Sequence, residues 1–337
     1  MKTYMRLVLV AFVLLASSTW ASAQKQHAFI WNSGTGMTDL GTLGGDNSYA
    51  LGINDSGQVV GYSYLGDNFT YHSFIWTAAG GMVDVGSTPD GFYSQGTAIN
   101  AAGDITGFTI LGTGRQVPFY RSHDGSSASL AATPGDQRNY GFAINDSSQV
   151  TGQRYDAAEI VHALIWRPLT GRLSYVPPLA GAAHTVGTGI NNLGHITGTA
   201  SIPSNNGIFH AMYWSSQRGT IDIGSVAGQT YTAGQSINES DEIAGFGGNA
   251  QVAFYWSRGT HMILLQTLGG TQSAAFSINQ GSAIAGYSST SGGAIHAALW
   301  PNKSSAPEDL GTLPGGSNSY GRGVNNSGQV VGYADAL

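Results

Sequence analysis

The chain has no cysteine among its 337 residues, which excludes a disulfide framework, a thiolate metal site and a lipid-modified N-terminal cysteine. Charge is scarce too: Asp, Glu, Lys and Arg make up 9% of the sequence, with 13 basic against 19 acidic residues. A net −6 without a basic run gives a phosphate backbone or an anionic lipid surface nothing to grip, so nucleic acid is not an expected partner. Past residue 23, no apolar run approaches the roughly 20 residues that cross a bilayer as a helix. No helical stripe of apolar residues recurs either, which removes helical bundles from consideration.

What is present begins with a short basic start, Met1-Lys2-Thr3-Tyr4-Met5-Arg6, then an apolar run from Leu7 to Ala16 and the small-residue site Ala21-Ser22-Ala23. This layout is that of a secretory signal peptide over residues 1–23. Its removal takes Lys2 and Arg6 and leaves 11 basic against 19 acidic residues, a balance of −8. The expected product, residues 24–337, is a single secreted or periplasmic domain, monomeric and without membrane insertion. Hydrophobic residues at 41% and aromatics at 10% are enough for a packed core.

The 50 glycines are not scattered but sit at fixed places in a repeat. Gly52-Ile53-Asn54-Asp55-Ser56-Gly57-Gln58-Val59-Val60-Gly61 returns seven times, its Asn recurring as Asn100, Asn145, Asn191, Asn238, Asn279 and Asn325, 41 to 47 residues apart. A second signature, His27-Ala28-Phe29-Ile30-Trp31, runs in phase, with Trp at its end in six of seven copies and Arg121 in the other. A third, Asp39-Leu40-Gly41, follows as Asp84-Val85-Gly86, Asp222-Ile223-Gly224 and Asp309-Leu310-Gly311, and is degenerate in the third, fourth and sixth repeats. Each unit reads as four short strands rich in Val, Ile, Phe, Tyr and Trp, bounded by Gly, Asn, Asp and Ser. The Asn-Asp-Ser-Gly stretch is a hairpin turn in which Asn bonds the local backbone.

The first strand of each unit has small residues four and two places before the Asn: Ala50 and Gly52, Gly96 and Ala98, Gly321 and Gly323, for example. Strand alternation puts both on one face, suited to close approach of another sheet. Seven four-stranded units of about 45 residues specify an all-β, seven-bladed β-propeller, with a β-solenoid as the alternative. The chain enters on the third strand of a unit and leaves after the second, so both termini should complete one blade, two strands each. Closure would remove the open sheet edges of a linear array.

With Asp39-Leu40-Gly41-Thr42-Leu43-Gly44-Gly45 and Asp309-Leu310-Gly311-Thr312-Leu313-Pro314-Gly315-Gly316 framing clear copies, residues 27 to 333 resemble the HAF-repeat family of probable extracellular proteins. The resemblance implies a bacterial exported repeat protein and carries no catalytic residue set.

Recurrence itself sorts the chemistry, because an active site is needed once and a turn in every blade. His27, His72, His162, His210 and His296 share one repeat position and cannot converge on one ion. His123, His184, His195 and His261 lie off the repeat without metal-ligand spacing. No metal or cofactor is expected, and neither a nucleophile elbow nor a phosphate loop is present. Six places before each Asn comes a small polar residue: Ser48, Ser94, Asn139, Thr185, Thr232, Ser273 or Ser319. These form either a ring at the channel mouth or turn caps. The variable loops bear the candidate ligand-binding residues Tyr49, Phe92, Tyr93, Arg138, Tyr140, His184, Tyr231, Tyr320 and Arg322, accompanied by Asp90 and Asp136. Aromatics mixed with Asn, Asp and Arg suit a carbohydrate or a peptide, the alternative being that the rings merely plug the funnel. The first expectation is therefore a binding module. An extracellular polysaccharide lyase or glycoside hydrolase, using His184 with Arg138, Tyr140 or Asp136, is the alternative, and a structural matrix protein a third.

Overall fold

The computed structural model describes residues 24–88, 91–131, 138–203, 205–227, 229–248 and 251–337. The candidate leader, Asp90 and Asp136 lie outside the described residues. Seven four-stranded antiparallel sheets form a closed ring, a seven-bladed β-propeller, and the solenoid alternative is set aside. In the first blade the strands run outward from the axis as Gly44–Ile53, Val59–Leu65, Tyr71–Thr77 and Gly81–Gly86. The last blade is composite: Ser319–Val324 and Val330–Ala336 come from the C-terminal end, Lys25–Asn32 and Gly36–Asp39 from the N-terminal end. Lys25 to Trp31 pair with Ala336 to Val330 in continuous register, so seven rungs of backbone join the two ends of the chain.

The core lies between consecutive blades. Phe29 and Trp31 of the composite blade pack with Ala285, Ala297 and Leu299 of the sixth, while Ala28 and Ile30 pack with Ala50, Val59 and Phe74 of the first. Trp300 is fully buried and its indole donates to the Gln266 carbonyl at 2.8 Å. Where Arg121 replaces Trp, its guanidinium reaches the Val85 carbonyl of the preceding blade at 2.9 Å. The three degenerate repeats keep the buried residue of the Asp-Leu-Gly element. Leu130, Val176 and Leu265 take the place of Leu40, each donating its N–H to the third strand as Leu40 does to Ala28. Only the turn chemistry is missing there. Where it is present, Asp39, Asp84, Asp222 and Asp309 accept the N–H two residues on and hold the repeat histidine across the sheet, at 2.6 to 2.9 Å. His162, whose repeat lacks that Asp, turns to Asp156 instead at 3.0 Å.

The insistent Asn does more than turn a hairpin. Each Oδ1 caps the local turn, as Asn54 does for Gln58 N–H at 3.0 Å. Each Nδ2 crosses to the main-chain carbonyl of the equivalent Asn in the next blade, at 2.9 to 3.2 Å. The circle closes from Asn325 to Asn54 across 271 residues of sequence. All seven are buried, so the bonds work in a region water does not reach.

The expected one-sided face of small residues is corrected. All seven innermost strands carry a β-bulge at the residue between the two small positions, seen as register shifts such as Ala50/Gly52 and Gly96/Ala98. An extra residue breaks the alternation of side-chain direction. A Cβ on Gly96 would therefore meet Val60 of the preceding blade at 2.6 Å, whereas one on Gly52 would meet Ala98 of the following blade at 3.3 Å. The two small residues fit opposite neighbours. Across from the bulge, the invariant glycine of the second strand accommodates the crossing chain: a Cβ on Gly61 would stand 1.9 Å from the Tyr49 carbonyl oxygen.

Candidate functional site

The bulge decides what the axis presents. Its unpaired residues are Leu51, Thr97, Phe142, Thr188, Gln235, Phe276 and Arg322, one per blade, variable in type where the positions on either side stay small. With the two residues that follow them on the inner strands, Ile278 and Val324 excepted, they line a central channel of ≈ 220 Å³. Thr97 and Thr188 donate across to the next inner strand, to the carbonyls of Gly141 at 2.9 Å and Gly234 at 2.5 Å. Arg322 lies with its guanidinium 4.0 Å from the Phe276 ring centre and 5.4 Å from that of Tyr333, whose hydroxyl accepts from Nη2 at 3.0 Å.

On the other side of the bulges, toward the face with the variable loops, aromatic rings form an unbroken chain. It begins at Phe69, passes Tyr93, Tyr71, Tyr62 and Tyr49, and crosses the closure of the ring to Tyr333 and Tyr320. From there it continues through Tyr287, Phe276, Phe246, Tyr231 and Phe209 to His184. Successive centres are 4.7 to 6.5 Å apart, within the range in which aromatic pairs attract. In two blades the residue before the first small position pairs directly across the hairpin with another ring, Tyr49 with Tyr62 and Tyr320 with Tyr333. Other blades supply single rings, such as Tyr287 opposite Ala274 and Phe246 opposite Ala233, and blade packing joins these to the pairs through Phe276.

Of the residues expected from sequence, the structure therefore brings together Tyr49, Tyr93, Tyr231, Tyr320, His184 and Arg322. Tyr140 sits apart, buried against Phe108 and Phe142, its hydroxyl donating to Gln116 at 2.5 Å. Arg138 lies over Tyr155 at 5.0 Å and pairs with Glu159 at 3.3 Å. His184 accepts the Val161 N–H at 3.3 Å. Arg138 and His184 are thus committed to different partners, which leaves the acid–base pairing considered for an enzyme unassembled among the described residues. Phe69, another variable-loop aromatic, is 72% exposed and meets Tyr93 at the start of the belt, while Phe92, next to Tyr93 in the same strand, is 65% exposed.

Burial pushes the Tyr71, Tyr140, Tyr231 and Tyr320 hydroxyls up to about 12 and raises Tyr49, Tyr62 and Tyr287 as well. A phenol in that range remains protonated near neutrality, so these groups act as donors and stacking surfaces rather than bases. Burial, then the neighbouring His162, pulls His184 below its ordinary value.

The ring of small polar residues is not at a mouth. Ser48, Ser94, Thr185, Ser273 and Ser319 are buried and accept the third-strand N–H of the preceding blade, at 2.7 to 3.0 Å. They staple blades and are unavailable to a ligand. The opposite face holds pairings that sequence spacing hid, because their partners come from distant strands, some of them in the neighbouring blade. His195 meets Asp241 at 2.7 Å, with Tyr213 and Arg258 on the same carboxylate. Asp104 accepts from His123, Tyr120 and Ser148. Burial acts to raise the Asp104 carboxyl, but these hydrogen bonds outweigh it and hold it at about 2. No group of three or more metal-ligating side chains occurs among the described residues.

Fold and site together define a seven-bladed propeller with an aromatic-lined face and axis. Solved structures agree on the fold. Virginiamycin B lyase from Staphylococcus aureus is 9% identical, with a TM-score of 0.53 over 92% of this chain and 99% of that one. A catalytically inactive form of that lyase with quinupristin is 8% identical, with a TM-score of 0.54 over 92% and 99%. A putative TolB from Agrobacterium tumefaciens is 10% identical, with a TM-score of 0.52 over 94% and 100%. Identities this low speak for the fold alone. No protein-family model matches the chain, and no curated protein does. No helix among the described residues is long and apolar enough to cross a membrane.

Proposed function

We propose that this protein is an exported binding module whose aromatic face takes a glycan. The observation that carries the reading is the contiguity of the belt, which runs from the exposed ring of Phe69, with the exposed Phe92 beside Tyr93 in sequence, to Phe276 on the axis. A sugar ring has an apolar face of C–H groups that stacks on an aromatic ring, and an edge of hydroxyls that needs a few donors and acceptors. The face supplies both: rings in series, and protonated tyrosine hydroxyls among them. The acidic balance and the leader-like start fit a protein working outside the cytoplasm, as does the likeness of the repeats to the HAF-repeat family. The repeat motifs act as scaffold and take no part in binding.

A glycan array probed with residues 24–337 tests this reading, followed by titration of the best ligand. The double variant Phe69→Ala/Phe92→Ala should weaken that ligand at least tenfold, since stacking losses of ~1.5 kcal/mol or more correspond to that factor. An unchanged affinity, or no glycan bound at all, would refute the assignment.

A further inference from the structure

The channel contains a charge that the fold leaves unanswered. Arg322 is the bulge residue of the composite blade, and among the described residues no carboxylate pairs with it. Asp335, of the same blade, is already taken by Asn318 through its main-chain and side-chain N–H groups, both at 2.9 Å. Of the five N–H groups of a guanidinium, the structure uses one, Nη2 to Tyr333. Nε is buried and has no hydrogen-bond partner. The residue as a whole is half-buried, so its remaining donors face the channel, where a carboxylate would answer both the charge and the unused N–H groups. Cation–π contact with Phe276 and Tyr333 fixes the plane of the fork, but it satisfies no donor.

Its surroundings describe what would complete the site. Phe276 presents an aromatic surface beside the guanidinium, and Gln235, on the far side of Phe276 in the ring, has a side-chain amide with no hydrogen bond to the described residues. Thr97 and Thr188 spend their hydroxyl protons on the next inner strand, so toward the axis they are acceptors only. The ≈ 220 Å³ of channel suits a group the size of one sugar ring rather than a chain of them. A planar fork for a carboxylate, an aromatic face, an amide and acceptors for hydroxyl protons match one ligand class. We infer that the channel binds an acidic sugar residue, a hexuronate, with Arg322 as the partner of its carboxylate. This rests on the glycan reading for the sugar and on Arg322 alone for the charge.

Titration of the protein with glucuronate, galacturonate, glucose, glucuronate methyl ester and N-acetylglycine tests it. At least one uronate should bind ten or more times tighter than glucose and the methyl ester. Arg322→Gln should abolish that preference, and Arg322→Lys should keep only part of it, because an ammonium lacks the bidentate fork. Should Arg322→Gln fail to fold, Arg322→Lys and the ester comparison read the same quantity. Equal binding of uronate and ester, retention of the preference in Arg322→Gln, or N-acetylglycine matching the uronate would overturn the inference. Neutral oligosaccharides that bind through Phe69 and Phe92 without any uronate preference would leave the glycan reading standing and sink this one. A uronate preference lost in Arg322→Gln but indifferent to Phe69→Ala/Phe92→Ala would do the reverse.

Discussion

Replacing Asn325 by Ala perturbs the one link of the Asn circle that joins the two ends of the chain. The wild-type amide donates to the Asn54 carbonyl at 3.1 Å and to Gln329 Oε1 at 2.8 Å, and its oxygen accepts the N–H groups of Ser327 and Gln329. The Asn54 carbonyl keeps a second partner, the Gly57 N–H at 3.0 Å, so it is not orphaned. The loss is then one buried inter-blade bond, at about 1 kcal/mol, plus turn N–H groups left without acceptors, at about 1–3 kcal/mol for those that water cannot reach. A destabilisation of about 3 kcal/mol is expected. Urea unfolding followed by tryptophan fluorescence reads it as a lower midpoint at constant slope. Asn325→Asp separates the two roles. It keeps the acceptor for the turn but sets a carboxylate oxygen against the Asn54 carbonyl, so it should be at least as damaging if the inter-blade bond matters. A loss below about 0.5 kcal/mol in Asn325→Ala, or a harmless Asn325→Asp, would refute the stapling role.

Other outcomes follow from the same geometry. Gly61→Ala should cost about 3 kcal/mol or more by thermal or urea unfolding, since the new Cβ would lie 1.9 Å from a backbone oxygen that the bulge cannot move. Stability should fall in acid as Asp104 titrates. Its folded value, about 2, lies below the unfolded one, so its contribution is complete above about pH 4 and is lost as pH drops toward 2. The shift corresponds to about 2 kcal/mol, and Asp104→Asn should flatten that limb of a pH–stability profile. His296→Ala, by contrast, removes an exposed pair with Asp309 and should cost less than about 1 kcal/mol.

The architecture was legible because every repeat states it. The Asn period gave the number of blades, and the phase of the two ends gave the composite blade now seen as Lys25–Asn32 paired with Val330–Ala336. The bulge was not legible, since small residues at alternate positions read as an ordinary strand face; only the neighbours of Gly52 and Gly96 show that they look in opposite directions. The same bulge hid the importance of the residue between them, which is why Arg322 stands among the residues expected from sequence and Gln235 and Phe276 do not. The Asn circle was half legible. An Asx turn is a local property and shows in sequence, whereas the Nδ2 bond goes to a residue 41 to 47 positions away, and at the closure 271. The belt was legible as single rings and not as a surface, because its continuity depends on which blades touch. Tyr140 illustrates the limit: its position in the repeat equals that of Tyr49 and Tyr320, yet its cross-strand neighbour is Gln153 rather than a tyrosine, and the belt does not pass through it.

The most direct measurement for the division between repeated scaffold and variable, aromatic binding face is hydrogen exchange of residues 24–337 with and without a bound oligosaccharide. Protection should appear in the segments around Leu65 to Tyr71 and Gly91 to Tyr93, on the rim that carries Phe69 and Phe92, and leave the Asn hairpins unchanged. Protection confined to the hairpins, such as Asn54 to Gly57 and Asn325 to Gly328, would place binding on the repeated face and contradict it.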